Sequence, residues 1–173
     1  EMSEREEAAM IARAVARIEK VAGVRPVGWH SRSPHTLNTR RLLVEEGGFI
    51  YDSEAYDDDL PYIVEVAGKR HVVVPYSLDT NDMRFTQVQG FNKGDDFFEY
   101  LKDAFDVLYA EGEAGAPKML SIGLHCRLIG RPGRFRALQR FLDYIESHDR
   151  VWVTRRVDIA HHWATHHPVQ PQE

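Results

Sequence analysis

Cys126 is the only cysteine in the 173-residue chain. One thiol makes neither an internal disulfide nor a thiolate-rich zinc site, so neither staples the fold, and a reduced, cytoplasmic setting fits. Long apolar runs are missing too. No stretch reaches the roughly 18 residues of a membrane-spanning helix, so no membrane partner is expected. The N-terminus has no signal-peptide core. Positive charge is not in excess: 22 Lys+Arg against 27 Asp+Glu leave a net charge of -5. That argues against a nucleic-acid partner, because a surface that tracks phosphates is normally basic. G-x-G-x-x-G and G-x-x-x-x-G-K-S/T phosphate loops do not occur, nor do G-x-S-x-G or H-E-x-x-H. There is no internal repeat, no low-complexity tract and no evident linker.

What is present suits one ordinary α/β domain with a real core: 43% hydrophobic and 28% charged residues. Ser3 with Glu6 three residues on is a capping-box pattern. Ile11, Ala14, Val15, Ile18 and Val21 then form a helical stripe, which Gly23 ends. Residues 24–29 read as a short strand, 31–34 as a turn, and 38–46 as a second helix stopped by Gly47-Gly48. Residues 49–51 are a strand candidate. Residues 63–66 and 71–74 flank Gly68-Lys69 as a hairpin. Residues 75–89 read as a long polar loop, and 94–111 as the clearest helix. Residues 118–124 read as a compact buried strand, 134–147 as a helix, 151–153 as a last strand and 156–165 as a terminal helix. The tail from 166 to 173 looks frayed. Strands alternating with helices predict an α/β fold with mostly parallel strands.

In parallel α/β folds, chemistry gathers at the C-terminal ends of strands. His125 directly follows the predicted 118–124 strand, and a histidine there serves as general acid or base, or merely ties its loop. The following loop, 126–134, carries Arg127, Arg131 and Arg134. Arg127 or Arg131 is placed to clamp an anionic or carbonyl-rich substrate, or to pair with surface acids. Cys126 reads as a small buried hydrophobe rather than a nucleophile. Trp29 to His35 follows the first strand, which puts His30, Arg32 and His35 on the same candidate face. Asp79 and Asp82 are placed to orient His125 or to cap a turn. Asp57-Asp58-Asp59 reads as a solvated turn rather than a cation site. The histidine pairs 161–162 and 166–167 lack a carboxylate or cysteine at ligand spacing and read as helix surface. The residues alone therefore lead to an α/β domain with a candidate site around His125.

Five stretches together resemble one family: Arg25 to Trp29; Asn38 to Phe49; Tyr51-Asp52-Ser53 with Asp58 to Tyr62; Pro75 to Phe85; and Ser121 to Gly133. In order, they resemble the PuuE-type allantoinases of the polysaccharide deacetylase (NodB-homology) superfamily. The resemblance implies an irregular (β/α) barrel, of which residues 1–173 would be the C-terminal portion. It implies hydrolysis of a non-peptide C–N bond without a metal or other cofactor, opening the cyclic amide allantoin to allantoate in purine breakdown. The late L-x-x-H-type motif matches at Ile122 to His125, which makes His125 the acid that protonates the departing nitrogen. Asp79 or Asp82 is then the residue that holds a catalytic side chain, and Trp29, Arg32, Tyr62 and Arg127 are substrate contacts. One departure stands out: the superfamily's T/S-F/Y-D-D-G motif, which supplies the base, and its His-rich second motif do not occur in this sequence. The expectation is a chain that begins after them, inactive alone, working as a homo-oligomer or with the missing half. Two other readings stay open: a metal-dependent N-deacetylase of amino sugars, and a non-catalytic fragment or binding subunit.

Overall fold

The computed structural model describes residues 2–32 and 35–167. Two expectations fall partly outside them: Ser33 and Pro34 of the expected turn, and residues 168–173 of the expected frayed tail. Contacts group the chain into two compact units, Glu1–Pro75 with Thr154–Glu173, and Tyr76–Val153.

The first unit begins with α1, Glu4–Ala22. The capping box forms as the sequence predicts: the Ser3 amide donates to Glu6 Oε2 at 2.8 Å, and the Ser3 hydroxyl accepts from the Glu6 amide. Gly23 ends the helix at φ 73°, a left-handed conformation that a side chain would resist. The apolar stripe buries Ile11 and Val15 against Leu42 and Leu43 of α2 (Thr39–Glu46) and against Phe49. Glu7 is buried on the same face and accepts the hydroxyls of Thr36 and Thr39, so the carboxylate is not left bare.

Four strands form a mixed sheet in the order β1-β2-β4-β3. They are β1 (Gly28–Trp29), β2 (Tyr51–Asp52), β3 (Tyr62–Val66) and β4 (Lys69–Val73). β1, β2 and β4 are parallel, with Asp52 opposite both Trp29 and Val73. β3 adds antiparallel at the edge through the predicted hairpin. Its two-residue turn, Ala67-Gly68, has both φ values positive, which matches the twist of the flanking strands. α6, Arg156–His166, belongs to this unit. Arg156 Nη1 donates to Ser53 Oγ, Val74 O and Pro75 O at 3.0–3.1 Å, which binds the C-terminal ends of β2 and β4 to this helix.

The second unit is built on α3 (Gly94–Glu113) and α5 (Pro132–Glu146). Phe97, Leu101 and Phe105 of α3 interlock with Ala137, Leu138, Phe141 and Ile145 of α5, as the apolar periodicity of both segments predicts. The Asp96 carboxylate accepts the Asn92 and Lys93 amides and caps α3.

Several expected elements differ. Residues 118–124 form no strand; among the described residues their only pairing is one parallel bridge, Gly123 to Asn81. A strand needs a continuous partner, and the chain at Asn81 turns at once into a 3-10 helix, Asp82–Thr86, inside the predicted long loop. Residues 151–153 likewise make no strand, and Trp152 and Val153 are exposed. The predicted loop after His125 holds a single helical turn, α4 (Cys126–Ile129), which buries Leu128 and Ile129. Cys126 is exposed rather than buried, because the inner face of that turn is already taken by those two residues. No described helix is long and apolar enough to cross a membrane.

Phe141 is fully buried at the centre of the α3–α5 interface. Phe141→Ala is expected to lower unfolding stability by about 3–5 kcal/mol, read from the urea midpoint; a change under about 1 kcal/mol would show that this interface carries little of the stability.

Candidate functional site

Two polar constellations stand at loop ends, one in each unit.

In the second unit the Asn81–Gly123 bridge sets the frame. The Gly123 amide donates to Thr80 O, the Asp82 amide donates to Gly123 O at 2.9 Å, and the Thr80 hydroxyl donates to Ser121 O. Asn81 caps the 3-10 helix by accepting the Met83 amide, and its Nδ2 donates to the Tyr76 hydroxyl at 2.7 Å. This places the Asp82 side chain, 0% exposed, under His125. Asp82 Oδ1 lies 2.7 Å from His125 Nδ1. Asp82 Oδ2 accepts the amides of His125 at 2.8 Å and Ile129 at 3.1 Å. An ionised carboxylate only accepts, so Nδ1 carries a hydrogen in this pair. Nε2 is left uncommitted among the described residues, on a side chain that is 30% exposed.

Of the two aspartates that the sequence offers for this role, Asp82 takes it. Asp79 is 64% exposed; it pairs with Arg84 at 3.1 Å and accepts the Tyr100 hydroxyl at 2.6 Å. The difference is one of phase: the bridge at Asn81 turns the next residue, Asp82, inward. Arg127 is exposed and reaches Met83 Sδ at 3.6 Å.

In the first unit the parallel strands end side by side. Asp52, 0% exposed, accepts Arg40 Nε at 2.8 Å and His71 Nε2 at 3.0 Å on one oxygen. Its other oxygen accepts Arg40 Nη2 at 3.2 Å and the Glu54 amide at 2.9 Å. Burial pushes this carboxyl up, but the His71, Arg40 and Glu54 hydrogen bonds outweigh it and hold the group at about 2. Beyond Asp52 stand Ser53 and Glu54. Ser53 O is 3.0 Å from His30 Nδ1, and Glu54 accepts the Ser31 amide and lies 3.3 Å from His35 Nδ1.

The other sequence-nominated contacts are in this unit as well. Trp29 is partly buried, packs edge-on against Phe49 at 5.6 Å and donates its indole N–H to Ser31. That arrangement gives it a packing task. Arg32 is exposed. Tyr62 opens β3 and donates to Asp57 at 3.3 Å; burial and the Asp57 charge push its hydroxyl up. Asp57, Asp58 and Asp59 are exposed, and the Asp58 side chain accepts the Leu60 amide in a turn. No group of three or more potential metal ligands occurs among the described residues. Sequence reasoning missed the Arg40–Asp52–His71 cluster, because three residues on α2, β2 and β4 have no common spacing. It also missed Glu54, although its place just past a strand end was a usable signal.

No protein-family model matches the chain. It is 45% identical over 157 residues to a Schizosaccharomyces pombe (strain 972 / ATCC 24843) protein provisionally named a polysaccharide deacetylase, over 83% of this chain and 49% of that one. Among solved structures it is similar to PuuE allantoinase, with 64% identity and a TM-score of 0.92 over 98% of this chain and 56% of that one. A probable polysaccharide deacetylase from Pseudomonas aeruginosa PAO1 matches at 61% identity and TM-score 0.92, again over 98% and 56%. The chain thus spans about half the length of the relatives it matches.

Two outcomes are expected. A carboxyl held down in the folded state adds stability above its unfolded value near 4, and that stability is lost as pH falls through the folded value near 2. Asp52 is expected to contribute about 2.5 kcal/mol of acid-labile stability in this window. Chemical unfolding of wild type and Asp52→Asn at pH 7 and near pH 2 checks it: the variant should show a correspondingly smaller acid loss. Separately, a Cβ on Gly123 would lie 2.2 Å from Asn81 Nδ2 and 2.3 Å from the Tyr76 hydroxyl. Gly123→Ala should therefore disturb the Asp82–His125 pair, visible as a shifted His125 ring signal by NMR; an unmoved signal would show that the frame yields elsewhere.

Proposed function

We propose that the chain belongs to the polysaccharide deacetylase (NodB-homology) superfamily of hydrolases and supplies the acid side of an allantoinase-like active site; the similarity to an allantoinase and to proteins named as polysaccharide deacetylases supports this. The reaction is hydrolysis of a cyclic amide: water adds to a ring carbonyl carbon of allantoin, the ring C–N bond breaks, and allantoate leaves. The observation that carries this reading is His125, locked by Asp82 through Nδ1 with Nε2 uncommitted. Its wider support is the 64% identity to PuuE allantoinase.

In this reading His125 Nε2 holds the proton that goes to the departing ring nitrogen as the C–N bond opens. An amide nitrogen is a poor leaving group unless it is protonated, so the acid lowers the barrier where it is highest. Asp82 is a positioning residue. It keeps hydrogen on Nδ1, aims the ring, and offsets the positive charge of the imidazolium before the proton is given up. The water must lose a proton to a base, and the family's T/S-F/Y-D-D-G motif is absent from these 173 residues. In this reading the base is a group other than His125 and Asp82. Arg127, exposed after His125, is a candidate contact for substrate carbonyl oxygens. Reaction in purine breakdown, a cytoplasmic setting, and assembly as a homo-oligomer or with a further segment belong to the same proposal.

The relatives named for polysaccharide deacetylation favour a second reading, removal of acetyl groups from amino sugars. The test measures turnover of allantoin and of an acetylated chito-oligosaccharide by the complete protein, with and without a chelator. Chelator-insensitive allantoin turnover is the expected result, and activity confined to the sugar and lost with chelator would replace it with the deacetylase. His125→Ala is expected to lower allantoin turnover by about 10²–10⁴. Asp82→Asn should lower kcat more than it raises KM and displace the alkaline limb of the pH profile, which loss of the acid's proton sets. A His125→Ala rate equal to wild type would remove that residue from the chemistry.

A further inference from the structure

Among the described residues, one buried side-chain polar atom has no hydrogen-bond partner, and it lies at the end of β2. It is Oε2 of Glu54, on a side chain that is 2% exposed. The carboxylates of Glu7, Asp52 and Asp82 are each met by donors from other parts of the chain. Glu54 has its Oε1 satisfied by the Ser31 amide, while His35 Nδ1 stands 3.3 Å from Oε2, outside hydrogen-bond geometry. A bare buried acceptor is costly, and native proteins usually supply the missing donor with water or a ligand. Arg40, the nearby guanidinium, is committed to both Asp52 oxygens and to Glu54 O.

We infer that Glu54 Oε2 is a ligand subsite that takes an N–H donor, with His35 as its removable cover. His35 is 39% exposed and pairs with Glu54 at the weak end of contact, so turning it outward costs little and bares the oxygen. The carboxylate is at the C-terminal edge of parallel strands, where α/β proteins hold small ligands. Ser31 fixes the carboxylate through Oε1, and the Trp29 indole in turn bonds the Ser31 hydroxyl, so the acceptor is held before the ligand arrives. Ureido and cyclic-amide groups are rich in N–H, and guanidinium and ammonium groups share that chemistry. The choice of a ureido ligand rests on the ring-opening reading above; the subsite itself does not.

The probe is hydantoin, with urea and guanidinium chloride as parallel arms, added to the ¹⁵N-labelled 173-residue chain. Saturable movement of the Ser31 amide signal is expected with hydantoin. In Glu54→Gln, which keeps the shape and the Oε1 acceptor but loses the charge, half-saturation should need at least about tenfold more probe. In His35→Ala the oxygen is uncovered, and affinity should be equal or higher. Response to guanidinium alone assigns the subsite to a cation and overturns the ureido choice. No movement in wild type, movement unaffected by Glu54→Gln, or an ordered water on Oε2 that hydantoin does not displace in a crystal, would overturn the subsite. Allantoin turnover insensitive to His125→Ala with the Ser31 response intact would instead overturn the catalytic reading and leave the subsite standing.

Discussion

A carboxylate taken out of water must be met by donors from the protein, and this constraint organises both units of the chain. Isolated burial of such a charge is prohibitively expensive, so each buried acid recruits partners from distant parts of the sequence. Asp52 collects Arg40 from α2, His71 from β4 and the Glu54 amide. In doing so it joins a helix and two parallel strands at one point. Asp82 collects the His125 ring and the His125 and Ile129 amides, and thereby ties the 3-10 helix to α4. Glu7 does the same between α1 and the start of α2. The apolar clusters supply the driving force for compaction, but these acids fix which loops meet.

The two buried aspartates have different chemical prospects. Asp52 spends its oxygens on a guanidinium, an imidazole and an amide, with His71 3% exposed and Arg40 28%. Such a group holds structure. Asp82 spends one oxygen on backbone amides and the other on an imidazole that keeps a nitrogen in reserve. Such a pair holds an imidazole in one orientation with its second nitrogen open among the described residues. The allantoinase and the probable polysaccharide deacetylase that the chain resembles are each matched over about half of their own length.

Local signals carried the helices. α1, α2, α3, α5 and α6 lie close to where stripe, cap and stop residues predict them, because a helix satisfies its backbone from within its own segment. The Gly68 hairpin was legible for the same reason. Strands were less legible: residues 118–124 have the composition of a buried strand but only one bridge, and 151–153 have none. Composition states that a segment suits a sheet, whereas a ladder needs a partner far away in sequence.

The sequence by itself therefore determined the helices, the mixed α/β class, the resemblance to one superfamily and the candidacy of His125 at the end of a compact apolar segment. Tertiary structure decided the rest. It chose Asp82 over Asp79, only three residues apart, because the bridge at Asn81 turns one side chain inward and leaves the other on the surface. It assembled Arg40, Asp52 and His71, and it left Glu54 with one oxygen unanswered. Periodicity records which way a side chain faces along its own element; which donors reach a buried charge depends on how separate elements close on one another, and no local spacing encodes that.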